Sequence, residues 1–91
     1  MNLTDRFLVS DEVVAREVGG ETMLLDLSSG TYFGLDAVGG RIWQLLEDGT
    51  SPAEACDTLI EEYEVARDKL ERDILDLLTE LRDRRLITVL D

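Results

Sequence analysis

Residues 24–43 read LLDLSSGTYFGLDAVGGRIW, and this segment is the most constrained part of the chain. Two apolar runs flank a Ser28-Ser29-Gly30 turn, in which Gly30 is free to adopt the positive φ that a tight antiparallel connection needs. The segment therefore predicts a hairpin whose second strand, residues 31–35, leads directly into a helix. We expect this strand to have one neighbour only, which leaves backbone N–H and C=O groups free to pair with another peptide.

Two more strands are predicted upstream, over residues 13–18 and 21–27, and Gly19-Gly20 turns the chain between them. Together with the edge strand they form a three-stranded antiparallel meander. Residues 7–9 are compatible with a short strand or with a packed N-terminal arm. Residues 86–90 are compatible with a short terminal strand or with an extended tail.

The returning strand carries apolar residues on both faces. Met23, Leu25 and Leu27 share one face because side chains alternate along a strand, and Leu24 lies on the other face between two polar residues. Leu24 indicates that the second face of the sheet is also covered.

Three helices are predicted after the strands. Asp36 is a good N-cap for a helix over residues 37–47. The sequence Ser51-Pro52-Ala53-Glu54 combines a capping box with proline at the first helical position, which predicts a second helix to residue 63. A third helix over residues 67–85 has a wide apolar face, formed by Leu70, Ile74, Leu77, Leu78 and Leu81.

Gly39 and Gly40 lie inside the first predicted helix, although glycine costs about 1 kcal/mol there relative to alanine. We expect a close approach of the helix backbone to the sheet to require them. The alternative is a loosened first turn near a ligand.

Three strands followed by three helices make this an α+β chain with a winged helix-turn-helix-like arrangement. Its 91 residues are enough for one modest core, so we expect a single domain over residues 1–91.

The charge of the chain excludes the use of that arrangement on DNA. Nine Lys and Arg residues face 21 Asp and Glu residues, which gives a net charge of −12. The third helix alone carries an acidic residue at nearly every turn, so it would repel a phosphate backbone. We expect neither nucleic acid nor a membrane surface as partner, whereas a cationic peptide would be attracted.

The chain has no histidine and a single cysteine, Cys56. An intramolecular disulfide and an ordinary Cys/His metal site are therefore excluded, and we expect no metal and no cofactor. The N-terminus lacks a secretory pattern and no run is long enough to span a bilayer, so we expect a soluble cytoplasmic protein. The carboxylates follow helix-surface patterns without a paired acid and base, which indicates a protein that is not an enzyme.

Three fragments, in this order and spacing, resemble the PqqD-like family, whose members are also called RiPP precursor recognition elements. They are residues 26–36 (DLSSGTYFGLD), residues 40–46 (GRIWQLL) followed by Gly49, and residues 70–74 (LERDI) with Leu77, Leu78 and Leu81 ahead of Leu86 and Ile87. The resemblance spans nearly the whole chain. It is strongest to the small stand-alone members that serve lasso-peptide pathways.

The resemblance implies a non-catalytic domain that binds the leader segment of a ribosomally made precursor peptide. In the family the leader adds a strand to the sheet edge and lies between that edge strand and the third helix. The partner would then be a precursor peptide that is delivered to a modifying enzyme or a leader protease. The corresponding peptide-binding residues here are Thr31, Tyr32, Phe33, Gly34 and Leu35 on one wall and Leu70, Asp73, Ile74 and Leu77 on the other.

The chain departs from the family pattern at two positions. Members that assist pyrroloquinoline quinone synthesis usually carry Leu-Asn where this chain has Leu35-Asp36, which argues against that pathway. The cap of the third helix, often acidic in relatives, is Ala66.

Other functions remain open at this point. One alternative is a PqqD-type peptide chaperone in pyrroloquinoline quinone synthesis. Another is an acidic winged-helix domain that binds a regulatory protein, and a third is a small carboxylate enzyme. An exposed edge strand is also compatible with a homodimer formed edge to edge.

Overall fold

The computed structural model describes residues 2–90. Its elements in chain order are β1 (Arg6–Val9), β2 (Val13–Val18), β3 (Glu21–Asp26), β4 (Thr31–Leu35), α1 (Ala37–Glu47), α2 (Pro52–Glu62), α3 (Arg67–Asp83) and β5 (Ile87–Leu90). The predicted α+β architecture, a three-stranded antiparallel sheet followed by three helices, is confirmed.

The main sheet has the order β2-β3-β4, and both pairings are antiparallel. Gly30 has a φ of 72° in the turn between β3 and β4, as the hairpin prediction requires. Within residues 2–90, β4 pairs with β3 alone, so its second edge carries no strand.

The two ends of the described chain form a second, two-stranded sheet. β1 and β5 pair antiparallel, with Phe7 opposite Val89 and Val9 opposite Ile87. Phe7 and Ile87 are buried. Both segments are therefore strands, which settles the two alternatives that the sequence leaves open.

The core covers the face of the main sheet that carries Leu24. Leu24 is only 1% exposed, whereas Leu27 is 55% exposed. The number of apolar residues on each face of β3 favours the opposite face as the core face. The true core face carries two polar residues beside Leu24, and both have local partners. Thr22 lies against Gly40, and Asp26 accepts hydrogen bonds from Ser28 in the adjoining turn.

α1 begins as predicted and lies close to the sheet. The Gly39 N–H donates to Asp36 Oδ1 at 2.7 Å, which makes Asp36 the N-cap. A Cβ built on Gly40 would collide with Thr22 Oγ1. The expectation that close backbone approach requires glycine here is confirmed at Gly40.

The capping box of α2 is present, since Ser51 and Glu54 bond reciprocally. α3 ends at Asp83, two residues earlier than predicted, because Arg85 adopts the left-handed φ of 63° that terminates helices. Ala66 occupies the N-cap of α3 and makes no side-chain cap hydrogen bond.

The helices bury their apolar faces against each other and against the sheet. The most buried large side chains include Trp43, Leu59, Ile74, Leu78 and Leu81. Leu77, at the border of the same α3 face, is only partly buried. In the described chain, none of the helices is long and apolar enough to cross a bilayer.

Candidate functional site

An open groove of about 370 Å³ runs between the free edge of β4 and α3. We call it the β4–α3 groove, and its lining residues are Phe33, Gly34, Leu35, Asp36, Val38, Gly39, Ile42, Val65, Lys69, Leu70, Asp73, Leu77 and Glu80. Aliphatic and aromatic side chains form its floor, and charged side chains of α3 form its rim. An edge strand beside an apolar trough is the arrangement that accepts an added peptide strand.

Six of the nine residues implied by the family resemblance line this groove. They are Phe33, Gly34 and Leu35 on β4, and Leu70, Asp73 and Leu77 on α3. The structure therefore brings the two predicted walls together. That these residues bind a peptide stays a prediction.

The other three residues lie elsewhere. Thr31 is exposed and lines a second cavity at the beginning of β4. Tyr32 is 64% exposed, and its pairing with Leu25 places it on the sheet face opposite to Phe33. Ile74 is fully buried in the core, so its side chain supports α3 without lining the groove.

Sequence reasoning missed the contribution of α1 to the groove. Val38 and Ile42 lie one helical turn apart on α1 and line the β4–α3 groove together with Val65. On α3 it missed Lys69 and Glu80, which share a face with Asp73 at spacings of four and seven residues. The spacing of these residues in the sequence is the signal that could have placed each set on one helix face.

The charged side chains on the groove rim have ion-pair or hydrogen-bond partners. Lys69 Nζ lies 2.9 Å from Asp73 Oδ2, and Arg84 Nη2 lies 3.4 Å from Glu80 Oε1. The Asp36 carboxylate is occupied as the cap of α1. The groove thus offers an apolar floor and backbone groups, and its rim carboxylates serve in ion pairs and a cap.

Phe33 marks the end of the groove towards Thr31. The guanidinium carbon of Arg84 lies 4.6 Å from the centroid of the Phe33 ring, which is cation–π geometry. This contact ties the C-terminal end of α3 to the middle of β4.

Cys56 lies apart from this site. It is fully buried on α2, and burial raises the pKa of its thiol. A buried thiol with a raised pKa is unreactive at neutral pH. Cys56 therefore acts as a small core residue, as the sequence predicts.

Comparison with known proteins identifies a family over most of the chain. The family model for coenzyme PQQ synthesis protein D matches residues 21–87, a range that includes β4 and α3. No curated protein sequence matches the chain.

Two solved structures resemble this fold closely. The chain is 49% identical to TbiB1 in complex with the TbiA(beta) leader peptide, with a TM-score of 0.80 over 87% of this chain and 92% of the other. It is 36% identical to lasso peptide synthetase B1 complexed with the leader peptide, with a TM-score of 0.82 over 91% of this chain and 98% of the other. By sequence and by fold, this chain belongs to the PqqD family.

Proposed function

We propose that this chain is a non-catalytic module that recognises the leader segment of a ribosomally synthesised precursor peptide. The leader adds as a strand to β4, places side chains in the β4–α3 groove, and is thereby delivered to a modifying enzyme or leader protease. One observation carries this proposal: within residues 2–90 an edge strand with a single neighbour borders an open apolar groove, in a chain 49% identical to a protein bound to a leader peptide.

The chemistry of strand addition divides the work between backbone and side chains. The free edge of β4 supplies N–H and C=O groups for affinity, and these groups read no sequence. Selectivity comes from the groove, where Leu35, Leu70 and Leu77 offer an apolar surface to alternate side chains of the peptide. An apolar residue or an aromatic ring of the leader fits this lining.

A role without catalysis is supported by the state of the polar groups. Asp73 and Glu80 are ion-paired, Asp36 caps α1, and Cys56 is buried away from the groove. General acid–base catalysis requires a positioned acid and base that reach the substrate. The groove lining carries neither histidine nor a free carboxylate pair.

Lasso-peptide biosynthesis is the pathway that the resemblance to lasso peptide synthetase B1 favours. Chaperoning a peptide in pyrroloquinoline quinone synthesis is the second candidate, and the family match favours it. Asp36 does not separate these two, because it caps α1 through Oδ1 and asparagine fills that role equally well.

Fluorescence anisotropy with a panel of labelled peptides tests the proposal. The panel contains the TbiA(beta) leader and the leader segments of short open reading frames beside the gene for this chain, including any PQQ precursor. We expect saturable binding of at least one leader and none of its sequence-scrambled form. Absence of binding across the panel contradicts the proposal.

A matched pair of variants locates the binding. Asp73→Lys reverses a charge on the groove rim, and Asp76→Lys makes the same change three residues on, outside the groove lining. Both positions are exposed on α3. We expect Asp73→Lys to weaken binding and Asp76→Lys to leave it nearly unchanged, whereas equal effects would place the peptide elsewhere.

A further inference from the structure

A second cavity, of about 410 Å³, continues the β4–α3 groove beyond Phe33. Phe33 lines both cavities, and in the second one β4 also contributes Thr31. Arg84, Arg85 and Leu86, which follow α3, form another part of its wall. The rest of the wall comes from the β1–β2 connection, β3 and the β3–β4 turn, with Ser10, Glu12, Leu24, Asp26, Ser28 and Ser29. The two cavities therefore adjoin at Phe33, and together we call them the trough.

A peptide that pairs along the whole of β4 reaches Thr31, which lines this second cavity. The five residues Thr31–Leu35 correspond to about 16 Å of paired strand. The groove itself accompanies only residues 33–35 of that strand. A peptide strand that reaches Thr31 therefore passes Phe33 and comes to the cavity that Arg84 and Arg85 line.

The second cavity contrasts with the strongly acidic chain around it, because two guanidinium groups line it. Arg84 stacks over Phe33 and has one long ion pair, with Glu80 at 3.4 Å. Arg85 makes no ion pair with any residue that the structure describes. Within residues 2–90 Arg85 is thus a cation without an acidic partner, in a protein of net charge −12.

The two acidic residues of the cavity, Asp26 and Glu12, form no ion pair with Arg84 or Arg85. Both Asp26 oxygens accept hydrogen bonds from the turn, Oδ1 from Ser28 and Oδ2 from Ser29, and the Ser28 hydroxyl holds the pKa of Asp26 below its ordinary value. Glu12 also lines the cavity and lies beyond ion-pair distance of both arginines. Among the described residues Arg85 has no ion pair and Arg84 only the long one with Glu80, so a carboxylate from outside can bind Arg85 and compete with Glu80 for Arg84.

The backbone at Arg85 is a further reason to assign a role to its side chain. Arg85 follows the cap of α3 with a φ of 63°, a position that glycine strongly favours after a helix. Any residue with a Cβ is strained there, and such strain in a native chain is a reason to look for function. The strained residue lines the second cavity itself.

From these observations we propose that Arg84 and Arg85 form a carboxylate subsite at the Thr31 end of the trough. The peptide that this chain binds carries an Asp or Glu in the part that runs past Phe33, next to the apolar residues that fill the β4–α3 groove. Arginine suits this task because its planar fork binds a carboxylate through two parallel hydrogen bonds. The inference rests on the proposed function and adds a selectivity rule to it.

Selection from a phage-displayed library of random 16-residue peptides tests the rule on the full chain. Wild type is compared with the double variant Arg84→Gln/Arg85→Gln and with Arg82→Gln, a control that removes one neighbouring positive charge outside both cavities. Selected peptides are retained for analysis when Leu77→Lys abolishes their binding, which confines the analysis to the groove.

We expect wild type and Arg82→Gln to enrich an acidic residue at a fixed spacing from the apolar positions. This enrichment would occur against the general repulsion of acidic peptides by a chain of net charge −12. The double variant should keep the apolar positions and lose the acidic one. Apolar enrichment without a fixed acidic position in wild type overturns the subsite alone, whereas no groove-dependent peptide at all overturns the proposed function as well.

A double-mutant cycle on the binding affinity of one selected peptide completes the test. Replacing its acidic residue by the corresponding amide should weaken binding to wild type about tenfold, the loss expected for a charge-assisted pair. The same replacement should have no effect on the double variant. Equal losses in both proteins contradict the assignment to Arg84 and Arg85.

Discussion

The backbone of Gly40 lies directly against the side chain of Thr22. A methyl group at Gly40 would lie 3.0 Å from Thr22 Cβ and would collide with Thr22 Oγ1. This contact sets how closely α1 approaches β3. Because Val38 and Ile42 of the same helix line the β4–α3 groove, the Gly40–Thr22 contact also helps to position that part of its lining.

Gly40→Ala is expected to destabilise the protein by about 1–3 kcal/mol, because overpacking outweighs the gain of about 1 kcal/mol in helix propensity. Urea unfolding of wild type and variant measures the difference. Adding Thr22→Ala removes Oγ1 and should restore part of the loss. A Gly40→Ala protein that is more stable than wild type would contradict the close approach.

The capping box of α2 should make stability depend on pH. The Ser51 hydroxyl donates to Glu54 Oε1 at 2.9 Å, and this hydrogen bond holds the pKa of Glu54 below its ordinary value. A depressed folded-state pKa stabilises the protein above the unfolded-state pKa, and this stabilisation is lost as the pH falls through the folded-state value. We expect Glu54→Gln to be less stable than wild type at neutral pH, with a gap that narrows below about pH 4.

Denaturant unfolding of both proteins across this range measures the gap. Glu61→Gln is a suitable control because Glu61 is exposed on the same helix and takes no part in the capping box. A gap that is constant with pH would contradict a role for the ionised carboxylate.

Ala66→Ser should stabilise the protein. Ala66 already has extended backbone angles at the N-cap of α3 but offers no acceptor to the first-turn N–H groups. A serine hydroxyl there supplies one, and such caps contribute about 0.5–2 kcal/mol. Thermal unfolding should show a higher Tm. An unchanged or lower Tm would mean that these N–H groups are already satisfied.

Thr31→Ala should weaken leader binding without changing stability. Thr31 is exposed on the free edge of β4, so its loss removes a contact to an added strand and leaves the core intact. Anisotropy titration should show about a three- to tenfold loss of affinity, which corresponds to roughly 0.7–1.4 kcal/mol. Thr88→Ala on β5 is the matched control, exposed on a strand outside both groove cavities.

If both threonine variants lose the same affinity, or if Thr31→Ala also lowers the Tm, the role of Thr31 is structural. The same criterion applies to Asp73→Asn, which also removes an exposed ion pair with Lys69 worth about 0.3–0.5 kcal/mol.

Local sequence signals predict the elements of this fold well. Gly30 marks the hairpin, and Asp36 and the Ser51 capping box mark the helix starts, because each acts on its immediate neighbours. The pairing of β1 with β5 is beyond such signals. Phe7 and Val89 are paired although almost the whole sequence separates them, so no local turn motif indicates the contact.

The candidate site is predictable to the extent that it follows from β4 and from the family resemblance. Val38 and Ile42 escape prediction because the angle between α1 and β4 depends on tertiary contacts such as that of Gly40 with Thr22. The contact of Arg84 with Phe33 escapes it because it joins the end of α3 to the middle of β4. A run of basic residues at the end of a helix is ordinarily explained by the helix dipole alone.

Amide hydrogen exchange, followed by NMR with the tightest-binding leader of the anisotropy panel, tests the central claim most directly. The outward-facing amides of β4, about two or three in a five-residue edge strand, should exchange quickly in the free protein and slowly in the complex. The amides that already bond to β3 should change little. Saturable binding that leaves every β4 amide unprotected would contradict strand addition at this edge.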